Sequence, residues 1–309
     1  MNAAETLVSE KQAKQSLDCS LKIDLVESDK LSPAEFQSKY LLPQKPVIIR
    51  GLLKNEPAYT KWTMEYFKKT LGHETVGYFG KAKDKVDRSY KKPHDFIQFG
   101  DYLDEIAAGP SDKRLFLFDI FKIDPELKKD FEFPKLTNLF LKNFRFTFFG
   151  GKGSVVRIHQ DIDMSNVFLT QFHGRKRVIL FAPKYSELLY RFPLNTHTPI
   201  DIAKPDFEKF PGLKYVKGYE CIIEEGDTLF MPSGYWHYIE YVDGGFAMAL
   251  RSLSPYYSMR FKGFLNVAIK THIDEFLLAI LGKAWFNWKQ KKAFERAKKA
   301  IKKAKLKFK

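Results

Sequence analysis

Three features of the chain predict a mainly β protein with a jelly-roll core, an α/β extension before it and helices after it. The first is texture. From Phe144 to Leu250, eight short apolar runs alternate with turn signals, the pattern of a closed or two-sheet antiparallel fold. The second is aromatic content, 16% with 29 Phe and 15 Tyr, which suits strands and tight cores better than plain helical bundles. The third is size. At 309 residues and 44% apolar content the chain can bury a full core and is too apolar to be disordered. Length alone allows one large β-rich domain with additions or two ordinary domains.

In chain order, residues 1–20 read as a loose polar leader, and 21–143 as the α/β extension. Lys22–Val26 alternates like a strand. Ser32-Pro33-Ala34-Glu35 is a helix start, with a capping Ser, Pro at the first helical position and Glu three residues after the cap. That helix runs to about Tyr40, and Lys45–Arg50 reads as a buried strand. Thr63–Thr70 and His94–Ala108 read as helices, and Arg114–Phe118 as a strand.

The β core spans 144–255. Its runs are Phe144–Phe149, Ser154–His159, Asn166–Phe172, Arg175–Phe181, Glu220–Glu224, Thr228–Met231, Trp236–Tyr241 and Gly245–Leu250. Turns such as Gly150-Gly151, Glu225-Gly226-Asp227, Ser233-Gly234 and Asp243-Gly244-Gly245 separate them. The insertion Pro183–Gly218 carries Pro193, Pro199, Pro205 and Pro211, so it is mostly irregular. Residues 256–309 read as helical. Phe261, Phe264, Leu265, Ala268, His272, Phe276 and Ile280 form one stripe, and Phe294, Ala297, Ile301, Ala304 and Phe308 another.

Two cysteines, Cys19 and Cys221, cannot build a disulfide framework or a zinc–thiolate cluster, which suits a reducing compartment. Met1–Leu17 lacks the apolar run of a signal peptide. Phe264–Leu281 is too interrupted by polar residues to span a membrane. A cytoplasmic location is expected. The net charge of +15 is local: residues 283–309 hold eleven Lys, one Arg and one Glu. The basic balance therefore belongs to the tail.

The residues that carry chemistry sit at strand ends. His159 and Asp161 are two apart, so an extended chain points both to one side. A third ligand must come from elsewhere, and His237 is the candidate. Two imidazoles and a carboxylate on one face of a metal form the facial triad of non-haem Fe(II) oxygenases, with positions left for an oxo-acid and dioxygen. His-x-Asp alone is weak. The run Glu225–His237 strengthens it: a tight turn, an apolar strand, a Pro-Ser-Gly corner, then Tyr235-Trp236-His237. Tyr235 and Trp236 are candidates for the substrate mouth or for packing at a barrel corner. His73, His94, His197 and His272 have no ligand-spaced partner and read as structural or exposed.

Several stretches together resemble the cupin-like jumonji-C Fe(II)/2-oxoglutarate oxygenases, whose core is a double-stranded β-helix. They are Pro46–Gly51, Lys61–Thr63, Arg157–Asp161, Gln171–Pro183, Lys204–Pro211, Gly226–His237 and Gly244-Gly245. Within that family the chain looks nearest to the subgroup holding an asparaginyl hydroxylase and a tRNA wybutosine hydroxylase. The resemblance covers about residues 30–255. It implies that His159, Asp161 and His237 ligate Fe(II), and that Lys176 pairs with the distal carboxylate of 2-oxoglutarate. It implies oxidative decarboxylation of 2-oxoglutarate by O2, coupled to hydroxylation of a substrate C–H bond, with a protein or peptide side chain as the first expectation.

The chain departs from that pattern at co-substrate contacts. Val156 stands where the asparaginyl hydroxylase has Thr, Phe116 where it has Tyr, and Arg251 where it has Asn; Asn166 is a further candidate contact. Arg251 either binds a carboxylate with its fork or faces outward at a strand end. These changes leave room for a modified oxo-acid site, or for a metal-binding scaffold without catalysis. The C-terminal stripe suits a homodimer, by family precedent, or packing on the barrel. The basic tail at 283–309 suits RNA phosphates, an anionic surface, or simple solvation.

Overall fold

The structure is a computed structural model, and it describes residues 16–80 and 93–307. Most of the expected leader, and Phe308 of the second stripe, lie outside the described residues. A jelly-roll of two facing sheets forms the centre. One sheet has six strands in the order β1 (Asp24–Glu27), β2 (Val47–Arg50), β10 (Asp227–Met231), β7 (Asn166–His173), β12 (Gly245–Ser252) and β5 (Phe140–Gly150). The other has four: β6 (Val155–His159), β11 (Trp236–Tyr241), β8 (Lys176–Phe181) and β9 (Gly218–Ile223).

Two-residue alternation sorts the side chains. On β12, Ala247 and Ala249 enter the core between the sheets, while Phe246, Met248 and Leu250 join a second core on the outer face. That outer core is covered by α1 (Pro33–Phe36, extended by a wider turn to Leu41), α2 (Pro57–Lys61), α3 (Met64–Leu71), α4 (Phe99–Ala108) and α5 (Ile120–Ile123). The expected capping box is present: the Ser32 hydroxyl accepts from the Glu35 amide, and the Glu35 carboxylate accepts from the Ser32 amide. Phe99, Tyr102, Leu103 and Ile106 are the buried face of α4.

A third core lies outside the four-stranded sheet. Trp236, Tyr238, Ile179 and Phe181 meet Leu189, Tyr190, Phe192, Ile200, Phe210 and Leu213 of the proline-rich insertion. The insertion is irregular, as expected, yet it is a packing layer. The helices α6 (Tyr257–Leu265), α7 (Thr271–Leu281) and α8 (Lys283–Lys307) follow, and Ala293 and Ala297 of α8 close this core.

Three elements differ from expectation. His94–Ala108 divides: β4 (Asp95–Gln98) pairs with the unforeseen strand β3 (Thr75–Tyr78), and the helix begins at Phe99. Arg114–Phe118 makes only single bridges, to Phe79, Gly150 and Thr147, because Leu117 takes a left-handed φ of 51°. The first C-terminal stripe does not pack on the barrel. Phe261, Phe264, Phe276 and Ile280 are each more than 60% exposed, and the buried side instead carries Gly263, Asn266 and Asp274.

Candidate active site

β6 and β11 are antiparallel neighbours, and His159 stands directly opposite His237. Directly opposed residues share a sheet face, so the two imidazoles meet with ring centroids 4.2 Å apart. Each ring is oriented by main chain. His159 Nδ1 lies 2.8 Å from the Arg157 carbonyl, and His237 Nδ1 lies 3.2 Å from the Tyr235 carbonyl. A carbonyl only accepts, so both Nδ1 atoms carry the proton and both Nε2 atoms are left as lone-pair donors. β6 ends at His159, and Asp161 opens a turn closed by the Met164 amide on its carbonyl at 3.2 Å. One ligand atom from each of His159, Asp161 and His237 lies within 4.8 Å of the others.

Gln160, between two candidate ligands, faces away from them. Its amide nitrogen donates to the Gly234 carbonyl, in the corner that carries His237. Gly234 has φ +69°, a left-handed conformation that favours glycine. Spacing alone gave no sign of this tie between the two halves of the site.

Arg251 enters from β12 on the Ala247–Ala249 face and is 9% exposed. Its Nη2 donates to Asp161 Oδ1 at 3.0 Å; its Nη1 donates to Asp163 Oδ1 at 3.0 Å and Ser165 Oγ at 2.9 Å. The outward-facing alternative is therefore corrected: Arg251 lines the pocket, with three of its N–H groups on Asp161, Asp163 and Ser165. Burial alone would raise the Asp161 carboxyl, but the Arg251 guanidinium, with His237 and His159, holds it below the usual carboxylate range. Burial, reinforced by His237, pushes the His159 imidazole well below its usual value, so it is neutral and able to ligate.

Beyond these residues lies a pocket with about 530 Å³ of space, part of it open to solvent. Its walls are mostly apolar and include Phe116, Phe148, Val156, Val167, Leu169, Met231, Ile239 and Ala249. Lys176 also lines it, 1% exposed, with Nζ 4.4 Å from the centroid of the Tyr241 ring. Among the described residues no carboxylate pairs with Lys176, and burial pushes its ammonium well below the usual lysine range. Tyr241, which sequence reading did not single out, follows His237 and Ile239 on the inward face of β11, and its hydroxyl donates to the Phe148 carbonyl at 3.3 Å.

Three expected site residues lie elsewhere. Asn166 is fully buried, but its amide is consumed by structure: it donates to Ser252 Oγ and the Leu253 carbonyl, and accepts from the Ser233 amide and Gln44. Trp236 is not at a mouth. It is 0% exposed on the outer face of β11, and its indole donates to Ser186 Oγ at 3.0 Å. Tyr235 packs in the inter-sheet core beside Tyr219 and does not line the pocket. His197, read as structural or exposed, stacks on His159 with centroids 5.8 Å apart and planes 16° from parallel, and is not in the ligand cluster.

The donor set of His159, Asp161 and His237 fits a divalent first-row metal. The model of the cupin-like domain matches residues 33–263. Lysine-specific demethylase 8 of Xenopus tropicalis is 30% identical over 224 residues, covering 69% of this chain and 49% of that protein. Jumonji C domain-containing protein 5 of Drosophila melanogaster is 29% identical, covering 77% of this chain and 59% of that protein. tRNA wybutosine-synthesizing protein 5 of Gallus gallus is 30% identical, covering 66% of this chain and 69% of that protein. The chain thus spans about half the length of the demethylase relative. The narrower likeness to the asparaginyl hydroxylase rests on the sequence motifs alone. With the family model spanning most of the jelly-roll and its flanks, the chain belongs to the cupin-like jumonji-C domain family.

Proposed function

We propose that the chain is an Fe(II)- and 2-oxoglutarate-dependent oxygenase that hydroxylates a protein or peptide side chain. One observation carries the reading: a His-Asp-His cluster and an ammonium that has no carboxylate partner among the described residues line the same apolar pocket. His159, Asp161 and His237 would hold the metal. Lys176 would hold the distal carboxylate of 2-oxoglutarate, since Arg251 already pairs with Asp161 and Asp163. Burial disfavours an unpaired ammonium, and a carboxylate entering the pocket removes that penalty. When bound, iron would supply the activation of O2, the oxidant, of which one oxygen atom goes into succinate as 2-oxoglutarate loses CO2 and the other into a substrate C–H bond. The chain's own part is orientation and exclusion of water: Phe116 and Val156 line the pocket without hydroxyl donors, leaving it drier and more dependent on Lys176. The test is a peptide library incubated with the protein, Fe(II), 2-oxoglutarate and air. The reading expects a mass gain of one oxygen atom on a peptide, absent without 2-oxoglutarate; gain that persists without it contradicts the reading.

A second reading, hydroxylation of a modified RNA base, has one observation in its favour. Lys283, Lys291, Lys298, Lys299, Lys302, Lys303 and Lys305 are exposed along α8. The named wybutosine relatives point the same way. Whichever substrate it takes, the exposed phenylalanines of α6 and α7 support a surface covered by a second copy. The content of two cysteines supports the proposed cytoplasmic location. No helix among the described residues is long and apolar enough to cross a membrane.

A further inference from the structure

We infer that Arg251 is a positioning residue for the metal site: its guanidinium occupies one oxygen of Asp161 and so fixes the face which that carboxylate offers to a divalent cation. The inference rests on the metal reading above and adds a residue from outside the ligand set.

Asp161 needs such a hold. The two histidines are oriented by strand pairing and by main-chain carbonyls, but Asp161 lies beyond the end of β6, in a turn. Its only side-chain hydrogen bond among the described residues is the 3.0 Å contact from Arg251 Nη2 to Oδ1. Oδ2 is the oxygen left for a metal. The clamp itself is rigid. Nη1 is pinned by Asp163 Oδ1 at 3.0 Å and Ser165 Oγ at 2.9 Å. The Asp161–Asp163 turn is pinned from the other side, where Asn266 Nδ2 donates to the Ile162 carbonyl at 3.1 Å and Gly263 lies against the Asp163 carbonyl. Arg251 comes from β12, in the opposite sheet from His159 and His237, so it locks the third ligand to a separate part of the fold.

A guanidinium beside a cation site also repels the cation, and this opposes the positioning effect. Asp163 offsets most of that repulsion, because it shares the same guanidinium and brings its own negative charge. The two effects predict opposite signs. If Arg251 acted through its charge, removing it would tighten metal binding. If it acts by position, removal loosens binding, and lysine, which keeps the charge without the planar fork, does not restore it.

The full chain, without metal and under anaerobic conditions, is titrated with Co(II) and read by its visible absorption. Wild type is compared with Arg251→Lys, Arg251→Met and Asp163→Asn, and the fold of each metal-free form is checked by circular dichroism. Positioning expects Arg251→Lys and Arg251→Met to bind Co(II) about tenfold more weakly or worse, the usual range for partners of metal ligands, with an altered band shape. Asp163→Asn weakens binding in the same direction by less. Unchanged or tighter binding by Arg251→Lys overturns the inference. If neither Arg251 variant folds, Asp163→Asn decides, and unchanged affinity there overturns it. A wild type that binds no Co(II) defeats the metal reading and this inference with it; a wild type that binds, with variants that match it, defeats the inference alone.

Discussion

Lys176 carries opposite consequences for stability and for function. A buried ammonium without a carboxylate partner among the described residues costs free energy, whether it stays charged or gives up its proton. Replacing it by methionine should raise the unfolding free energy by about 1 kcal/mol or more, read in a thermal or urea melt, while raising the KM for 2-oxoglutarate steeply. The pH signs follow. The folded value lies below the unfolded one of about 10.4, so the ligand-free protein gains stability as pH rises from the folded value towards the unfolded one. Affinity for 2-oxoglutarate falls over the same window, because the carboxylate needs the protonated form. Lys176→Met should flatten both slopes. Residue roles were legible where alternation could be anchored. From His237, steps of two reach Ile239 and Tyr241; from Ala247, they reach Ala249 and Arg251. The inward face of Arg251 was thus readable, but its partner was not, because Asp163 reaches it through a turn that no periodicity describes. Asn166 failed for a related reason. A buried amide among strand ends serves cross-strand ties as readily as a ligand, and here all its hydrogen bonds go to neighbouring chain.

At the scale of elements, the packing of α6 on the Asp161–Asp163 turn decides how well the site is held. A Cβ at Gly263 would fall 2.0 Å from the Asp163 carbonyl oxygen, against backbone that cannot swing away. Gly263→Ala should therefore destabilise the protein by about 1–3 kcal/mol and weaken metal binding together, measured by melts and Co(II) titration; loss of stability with unchanged affinity would uncouple helix from site. The core strands were legible because each has a face in the inter-sheet core and turn residues at its ends. β4 was not. Asp95–Gln98 runs directly into the apolar face of α4, and its strand state comes from pairing with β3, a non-local partner. The insertion 183–218 hid its role for the opposite reason: its apolar residues have no period, yet they cover the part of the sheet face that carries Ile158, Ile179, Phe181, Trp236 and Tyr238.

For the whole molecule, the basic tail and the exposed stripe belong to one helical unit, and the tail is less separable than its composition implies. Lys289 is 0% exposed and paired with Asp274 at 2.9 Å, and the Trp285 indole donates to the same carboxylate at 2.7 Å. Deleting 283–309 would strip a core, so charge is better tested in place. Changing Lys298, Lys299, Lys302 and Lys303 to glutamine should leave the fold intact; if the RNA reading holds, it lowers tRNA affinity and flattens its salt dependence, seen by fluorescence anisotropy. If the second-copy reading holds, Phe276→Asp, on the exposed stripe, should shift sedimentation from dimer to monomer without loss of metal binding. A wild type that sediments as a monomer would retire that surface as a self-contact.

The central claim is a metal and an oxo-acid held together in one pocket. It is tested most directly by adding Fe(II) and 2-oxoglutarate to the protein without oxygen, recording the visible spectrum, then admitting air and measuring succinate, with His159→Ala beside it. The account predicts a weak visible charge-transfer band that needs both additions, followed by succinate, with both lost in His159→Ala. Iron bound without band or succinate would contradict the oxo-acid assignment at Lys176, and a band unchanged in His159→Ala would contradict the triad.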